Sequence, residues 1–186
     1  MRRPSLLGSG LAVLCLLAAC GGQTVDGTAG SAGAVSVAAD PHPCDLLSID
    51  EAAGVLSVSI VKVSRFEADA SDGGQASCAW AGTADGMVLG LIVEGPAFFA
   101  SAPDGYTGSA EAYRFWREDT LDAGFSVIDV EGAGDAAFMP AIGPDPPNTL
   151  VMRCGEYLVH VSMLGPGGEA RMTEAARLAA AALERL

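Results

Sequence analysis

The chain has 186 residues, enough for one domain and short for two. Hydrophobic residues make up 50% and charged residues 18%, which excludes a wholly disordered chain. A formal net charge of −13 leaves no basic stripe to neutralise phosphates, so nucleic acid is excluded as a partner.

The first predicted element is an address. Met1-Arg2-Arg3 is a short basic region, and residues 5–19 (SLLGSGLAVLCLLAA) form an apolar run of secretory-signal length. That run is short of the roughly 20 apolar residues a membrane-spanning helix needs. It ends in Leu17-Ala18-Ala19-Cys20, the pattern of a bacterial lipobox. The expectation is a signal peptide over 1–19, cleaved before a Cys20 whose thiol carries a diacylglyceryl group. An ordinary cleaved signal and a retained anchor are the alternatives. Two or three acyl chains hold a protein stably on a membrane, where one is marginal. Cleavage removes Arg2 and Arg3 and no acid, which takes the charge from −13 down by two, to −15. So acidic a body is not drawn to anionic headgroups, and the acyl chains must do the holding.

Residues 20–40 are rich in Gly and small side chains, without an aromatic, and read as a tether. Twenty flexible residues span about 25 Å end to end. A single domain is expected over 41–186.

The chain has five cysteines. Cys15 leaves with the signal and Cys20 takes the lipid. Cys44, Cys78 and Cys154 remain, in an exported compartment that permits disulfides. Three thiols allow three single bridges and leave one over. Cys44–Cys78 is favoured, because it pins the start of the domain onto a strand. Such a closed loop contributes roughly 3–4 kcal/mol on a chain-entropy estimate. Cys154 shares a strand face with Leu150 and Met152 and reads as a buried small hydrophobe; a reactive thiol and an intermolecular bridge are its other readings.

Along the domain, Ser48 and Glu51 have capping-box spacing before a short helix that stops at Gly54 or Leu56. Strands are expected over 58–67, 76–82 and 87–94, the last two as a hairpin. Met87, Leu89, Leu91 and Val93 lie on one face of the third strand, and Val88 and Ile92 on the other. A strand apolar on both faces belongs inside a covered sheet. Residues 95–108 form a long connection. A helix over 109–123 follows, with Ala110, Tyr113, Trp116 and Leu121 on one arc and Phe115 pointing away from it. Strands are then expected over 125–130, 135–139, 150–153 and 156–163, the last two as a hairpin turning at Cys154-Gly155. A terminal helix over 169–186 carries a stripe of Met172, Ala175, Ala176, Ala179, Leu183 and Leu186. Hairpins with interposed helices, and no alternation of strand and helix, give an antiparallel α+β fold of six to seven strands.

Pro43-Cys44-Asp45-Leu46-Leu47, Cys78-Ala79-Trp80 and Gly132-Ala133-Gly134-Asp135-Ala136-Ala137 together resemble short cell-envelope lipoproteins of high-GC bacteria, chiefly actinobacteria. These are classed as domains of unknown function. The resemblance spans about residues 43–186. It implies the Cys44–Cys78 bridge and an antiparallel α+β fold of PsbP-like kind. It implies no activity, and Cys154 lies outside its pattern.

Templates for chemistry mostly fail. There is no G-x-S-x-G, H-E-x-x-H or P-loop. A Cys154–His160 pair on one hairpin is the nearest approach to a nucleophile and its base. With no CxxC and only His42 and His160 as histidines, zinc lacks ligands. Glu67, Asp69 and Asp72 form an acidic turn without the rest of a calcium loop. Gly132-Ala133-Gly134-Asp135 reads as a tight turn whose Asp bonds nearby backbone. No metal and no cofactor is expected. The binding candidates are aromatic: Phe98, Phe99 and Tyr106 in the long connection, and Phe115 off its helix's core face. They either line an apolar groove or cap the core.

The resulting expectation is a non-catalytic binding or accessory module of the envelope. It is lipid-anchored through Cys20 to the cell membrane on the extracytoplasmic side, and its partner is an envelope protein, glycan or lipid. The alternatives are a lipid or small-molecule carrier with an apolar pocket and, with least support, an enzyme. An open groove favours the first and a closed cavity the second.

Overall fold

The computed structural model describes residues 39–67, 75–84, 86–101, 105–141 and 147–186. The expected signal, Cys20, the tether up to residue 38, and Asp69 and Asp72 lie outside the described residues.

Helix α1 (Ile49–Leu56) begins at the capping box read from sequence. The Ser48 hydroxyl accepts the Glu51 amide at 3.2 Å, and Glu51 Oε2 accepts the Ser48 amide at 2.8 Å. Seven strands follow in one antiparallel sheet. They are β1 (Ile60–Phe66), β2 (Ala76–Gly82), β3 (Val88–Glu94), β4 (Ser126–Asp129), β5 (Ala136–Ala141), β6 (Thr149–Cys154) and β7 (Tyr157–Leu164). Their order is β1-β2-β3-β7-β6-β5-β4. Two meanders therefore meet at β3 and β7, whose register pairs Leu91 with Val161 and Ile92 with His160. The fold is α+β, as the hairpin pattern predicts.

One sheet face carries the main core. Cys78, Trp80, Leu89, Leu91, Val159, Val161, Leu150 and Met152 are all buried there. Helix α4 (Gly168–Leu183) covers β6 and β7 with Met172, Ala175, Ala176, Ala179 and Leu183, while α1 covers β1 to β3. The alanines of α4 let its backbone lie close to the sheet. The helix stops earlier than predicted, and Leu186 is exposed rather than on the buried stripe. The Cys44–Cys78 disulfide joins the segment before α1 to β2, with Cα atoms 5.1 Å apart.

The glycine turn before β5 is fastened to the β6–β7 hairpin. Gly134 sits at φ 59°, and a Cβ there would strike the Arg153 carbonyl. Asp135 Oδ2 accepts the Gly155 amide at 2.9 Å, and its own amide donates to Arg153 O at 2.9 Å. Asp135 thus bonds backbone, as predicted, but across the sheet.

The second face departs from expectation in three ways. The 95–108 connection contains a short helix, α2 (Pro96–Ser101). Helix α3 (Ser109–Asp122) buries Ser109, Ala112 and Thr120, while Ala110 and Leu121 are exposed. The centre of its buried set is turned by about 75° from that of the predicted arc, at 100° per residue. Small residues are the fully buried ones, and the rings of Tyr113 and Trp116 reach Phe138 and His160 of the sheet edge-on at 5.4 and 5.2 Å. Third, α3 packs on β4, β6 and β7. A helix 10–12 Å across covers two or three strands spaced about 4.8 Å. Val88 and Ile92 of β3 are therefore half-buried rather than enclosed.

Candidate functional site

One row of residues crosses all seven strands on the second face: Phe66, Ser77, Ile92, His160, Val151, Phe138 and Asp129. Val151 and Phe138, together with Leu158, Phe99 and Ala112, form a small second core beneath α2 and α3. At the other end of the row, Phe66 on β1 is 58% exposed. The boundary between the covered and open parts of this face is where the predicted aromatic residues gather.

Asp40 places α2. Its carboxylate accepts the amides of Gly95 at 3.1 Å, Ala97 at 3.0 Å and Phe98 at 2.8 Å. Those are donors the first turn of a helix leaves unsatisfied. A Cβ on Gly95 would run into this carboxylate and into the Tyr157 ring, so the close approach requires glycine. With α2 so fixed, its two aromatic side chains diverge. Phe99 turns inward and is buried in the second core, its ring centroid 5.5 Å from that of Phe98. Phe98 turns toward α3.

There Phe98, Tyr106, Phe115 and Trp116 line a half-open cleft of about 400 Å³, with Gln75 and Glu94. Ring centroids of Tyr106 and Phe115 are 5.1 Å apart and tilted by 46°. Those of Phe115 and Trp116 are 6.4 Å apart and nearly perpendicular at 77°. Three of the four candidate rings thus share one cleft, and the fourth, Phe99, supports it from below.

Sequence reasoning missed the polar end of the cleft. Glu94 ends β3 on the same side as Ile92, and its side chain is 4% exposed. Gln75 Nε2 donates to Glu94 Oε1. Behind it lies His160, whose Nε2 is 3.8 Å from Glu94 Oε1 and has no hydrogen-bond partner among the described residues. The His160 ring meets the Trp116 ring edge-on at 5.2 Å. Burial pushes the His160 pKa down to about 4, so the imidazole is neutral at pH 7. Strand alternation from Ile92 was the signal that places Glu94 here. Trp116 was assigned to the core arc of α3, yet it is 38% exposed and its ring stands between the cleft and His160.

The remaining candidates have structural partners. Cys154 is buried on the main-core face, and burial raises its thiol pKa above the ordinary value. His160 faces the opposite way, because it pairs with Val151 while Cys154 is in phase with Met152. The Cys154–His160 pair is therefore split across the sheet. His42 is buried, with Nδ1 accepting the Cys44 amide and Nε2 donating to Phe66 O, both at 3.1 Å. Glu67 pairs with Arg65 at 2.7 Å.

Comparison with protein families, curated proteins and solved structures finds no match to the chain.

Proposed function

We propose that the chain is an exported lipoprotein, anchored through acyl groups on Cys20. Its domain acts as a non-catalytic binding or accessory module of the cell envelope. The lipobox and tether motivate the anchor, and the resemblance to actinobacterial envelope lipoproteins points the same way. The Cys44–Cys78 bridge suits an oxidising compartment outside the cytoplasm.

The observation that carries the binding role is the half-open aromatic cleft beside an uncovered sheet half. Exposed rings grouped around a concavity favour recognition of a partner or ligand over simple core capping. An open cleft also favours a module that meets its partner at the surface over a carrier that encloses its cargo. The separation of Cys154 from His160 removes the one nucleophile–base pair the sequence offers.

Native mass spectrometry of the exported protein, after incubation with an envelope extract and gel filtration, tests this reading. A bare chain is expected, since surface contacts of this kind exchange. A small molecule that survives the column would overturn the module in favour of the carrier.

A further inference from the structure

We propose that the cavity between the C-terminal half of α3 and strands β5 to β7 binds a neutral sugar, one pyranose ring of a glycan, with its C–H face on Trp116 and its hydroxyls on Asp119 and Asn148. This rests on the binding-module reading and supplies its ligand class.

The cavity is half-open and holds about 280 Å³. Trp116 lines both it and the aromatic cleft, so the two are neighbours. On α3 and its C-cap, Trp116, Asp119, Thr120 and Ala123 have the three- and four-residue spacing that places them on one flank. Phe125, Pro140 and His160 supply the remaining rings of the lining. Trp116 is 38% exposed and Phe125 39%, so aromatic surface reaches the mouth. Polar groups stand there too, since Asp119 and Asn148 are exposed. Asn148 Oδ1 accepts the Thr149 hydroxyl at 3.3 Å, which leaves the amide NH2 as a donor. Asp119 makes no hydrogen bond or ion pair among the described residues, which leaves its oxygens as acceptors. His160 is neutral at pH 7 and adds no charge.

A pyranose answers this combination. Each of its hydroxyls both donates and accepts, and its C–H bonds carry a partial positive charge that the negative face of an aromatic ring attracts. The same lining disfavours other ligands. A purely apolar one would desolvate the acid and the amide without replacing their hydrogen bonds. An anion would meet Asp119 and a net charge of −13. An organic cation would leave the Asn148 donors unanswered, and an exposed carboxylate holds a counter-charge only weakly in water. Calcium and magnesium need several oxygen ligands, and no group of three or more metal-binding side chains occurs among the described residues. At about 280 Å³ the space falls just below the range of pockets for drug-sized ligands, which begins near 300 Å³. It takes one ring, and the open mouth lets the rest of a glycan continue outside.

The test is saturation-transfer NMR on the exported full-length protein, in a detergent without a sugar headgroup. The probes are the methyl pyranosides of glucose, galactose, mannose and N-acetylglucosamine. One control is the methyl glycoside of glucuronic acid, which adds a negative charge to the same ring. The other is cyclohexylmethanol, which keeps a ring and loses most hydroxyls. At least one neutral glycoside is expected to bind saturably at millimolar concentration, with both controls weaker by about fivefold or more. Asn148→Ala and Asp119→Ala, both at exposed positions, are each expected to weaken it by about threefold or more. Trp116→Ala is expected to remove the transfer to the C–H protons of the sugar. Leu121→Ala, on the exposed arc of the same helix and outside the cavity, is expected to leave binding unchanged. No saturable binding of any neutral glycoside would overturn the proposal, as would a control that binds as tightly as the best of them. Equal binding by the wild type and Asn148→Ala and Asp119→Ala would also overturn it. Failure of the module itself would instead show as a retained cargo in the mass measurement.

Discussion

His160 shows how one residue couples the cleft to the stability of the domain. Its imidazole is buried beside Trp116 and Glu94, and its pKa is pushed down to about 4, against about 6.5 in an unfolded chain. Above pH 6.5 both states hold a neutral ring, and His160 adds no pH dependence. Between pH 6.5 and about 4 the unfolded chain binds a proton that the folded one does not. Stability therefore falls as pH falls through this window and levels off below it. The full loss is about 3 kcal/mol, at 1.36 kcal/mol per unit of pKa difference. Urea unfolding at a series of pH values should show this loss in the wild type, and His160→Gln should remove it. Parallel pH profiles for the two proteins would contradict a neutral buried His160. Asp40 and Asp135 act at the same scale in a different way. Each satisfies backbone amides at a place where a glycine lets chain segments approach closely.

Among the elements, α1, the hairpins and the α4 stripe were legible because each is a local signal. The capping box, the strand alternation and the alanine-rich stripe fix them without knowledge of neighbours. The α2 helix was not legible. It has six residues and is capped by Asp40, more than fifty positions earlier in the chain, so no local pattern announces it. The phase of α3 failed for a related reason. Its predicted arc held Ala110 and Leu121, which are exposed, while the residues buried against the sheet are Ser109, Ala112 and Thr120. The aromatic candidates were found from composition and position. Their partition into three cleft rings and one core ring depends on how α2 is docked. The disulfide is the strongest constraint at this scale, closing a separation of 34 residues between the entry segment and β2. Replacing both Cys44 and Cys78 with alanine should cost about 3–4 kcal/mol by the loop-entropy estimate, measured as a lowered urea midpoint. An unchanged midpoint would show that other contacts already hold the entry segment.

At the scale of the whole molecule, the sheet divides its labour between two faces. One is sealed by α1 and α4 and supplies the main core. The other is covered by α2 and α3 only in part, which leaves the cleft and the half of the sheet that runs to Phe66. Asp40, the last residue of the expected tether, bonds directly to the backbone of Phe98, a wall of that cleft. The entry of the chain and the candidate site are thus built together. The acidic net charge gives the domain no electrostatic hold on an anionic bilayer, so the proposed location depends on the lipid. The most direct measurement is fractionation of cells expressing the wild type or Cys20→Ser, with the mass of the N-terminal peptide of the mature chain. The wild type should sediment with membranes and carry acyl mass on Cys20, and the variant should appear in the soluble exported fraction. Membrane retention of Cys20→Ser, or an unmodified Cys20 in the wild type, would contradict the account.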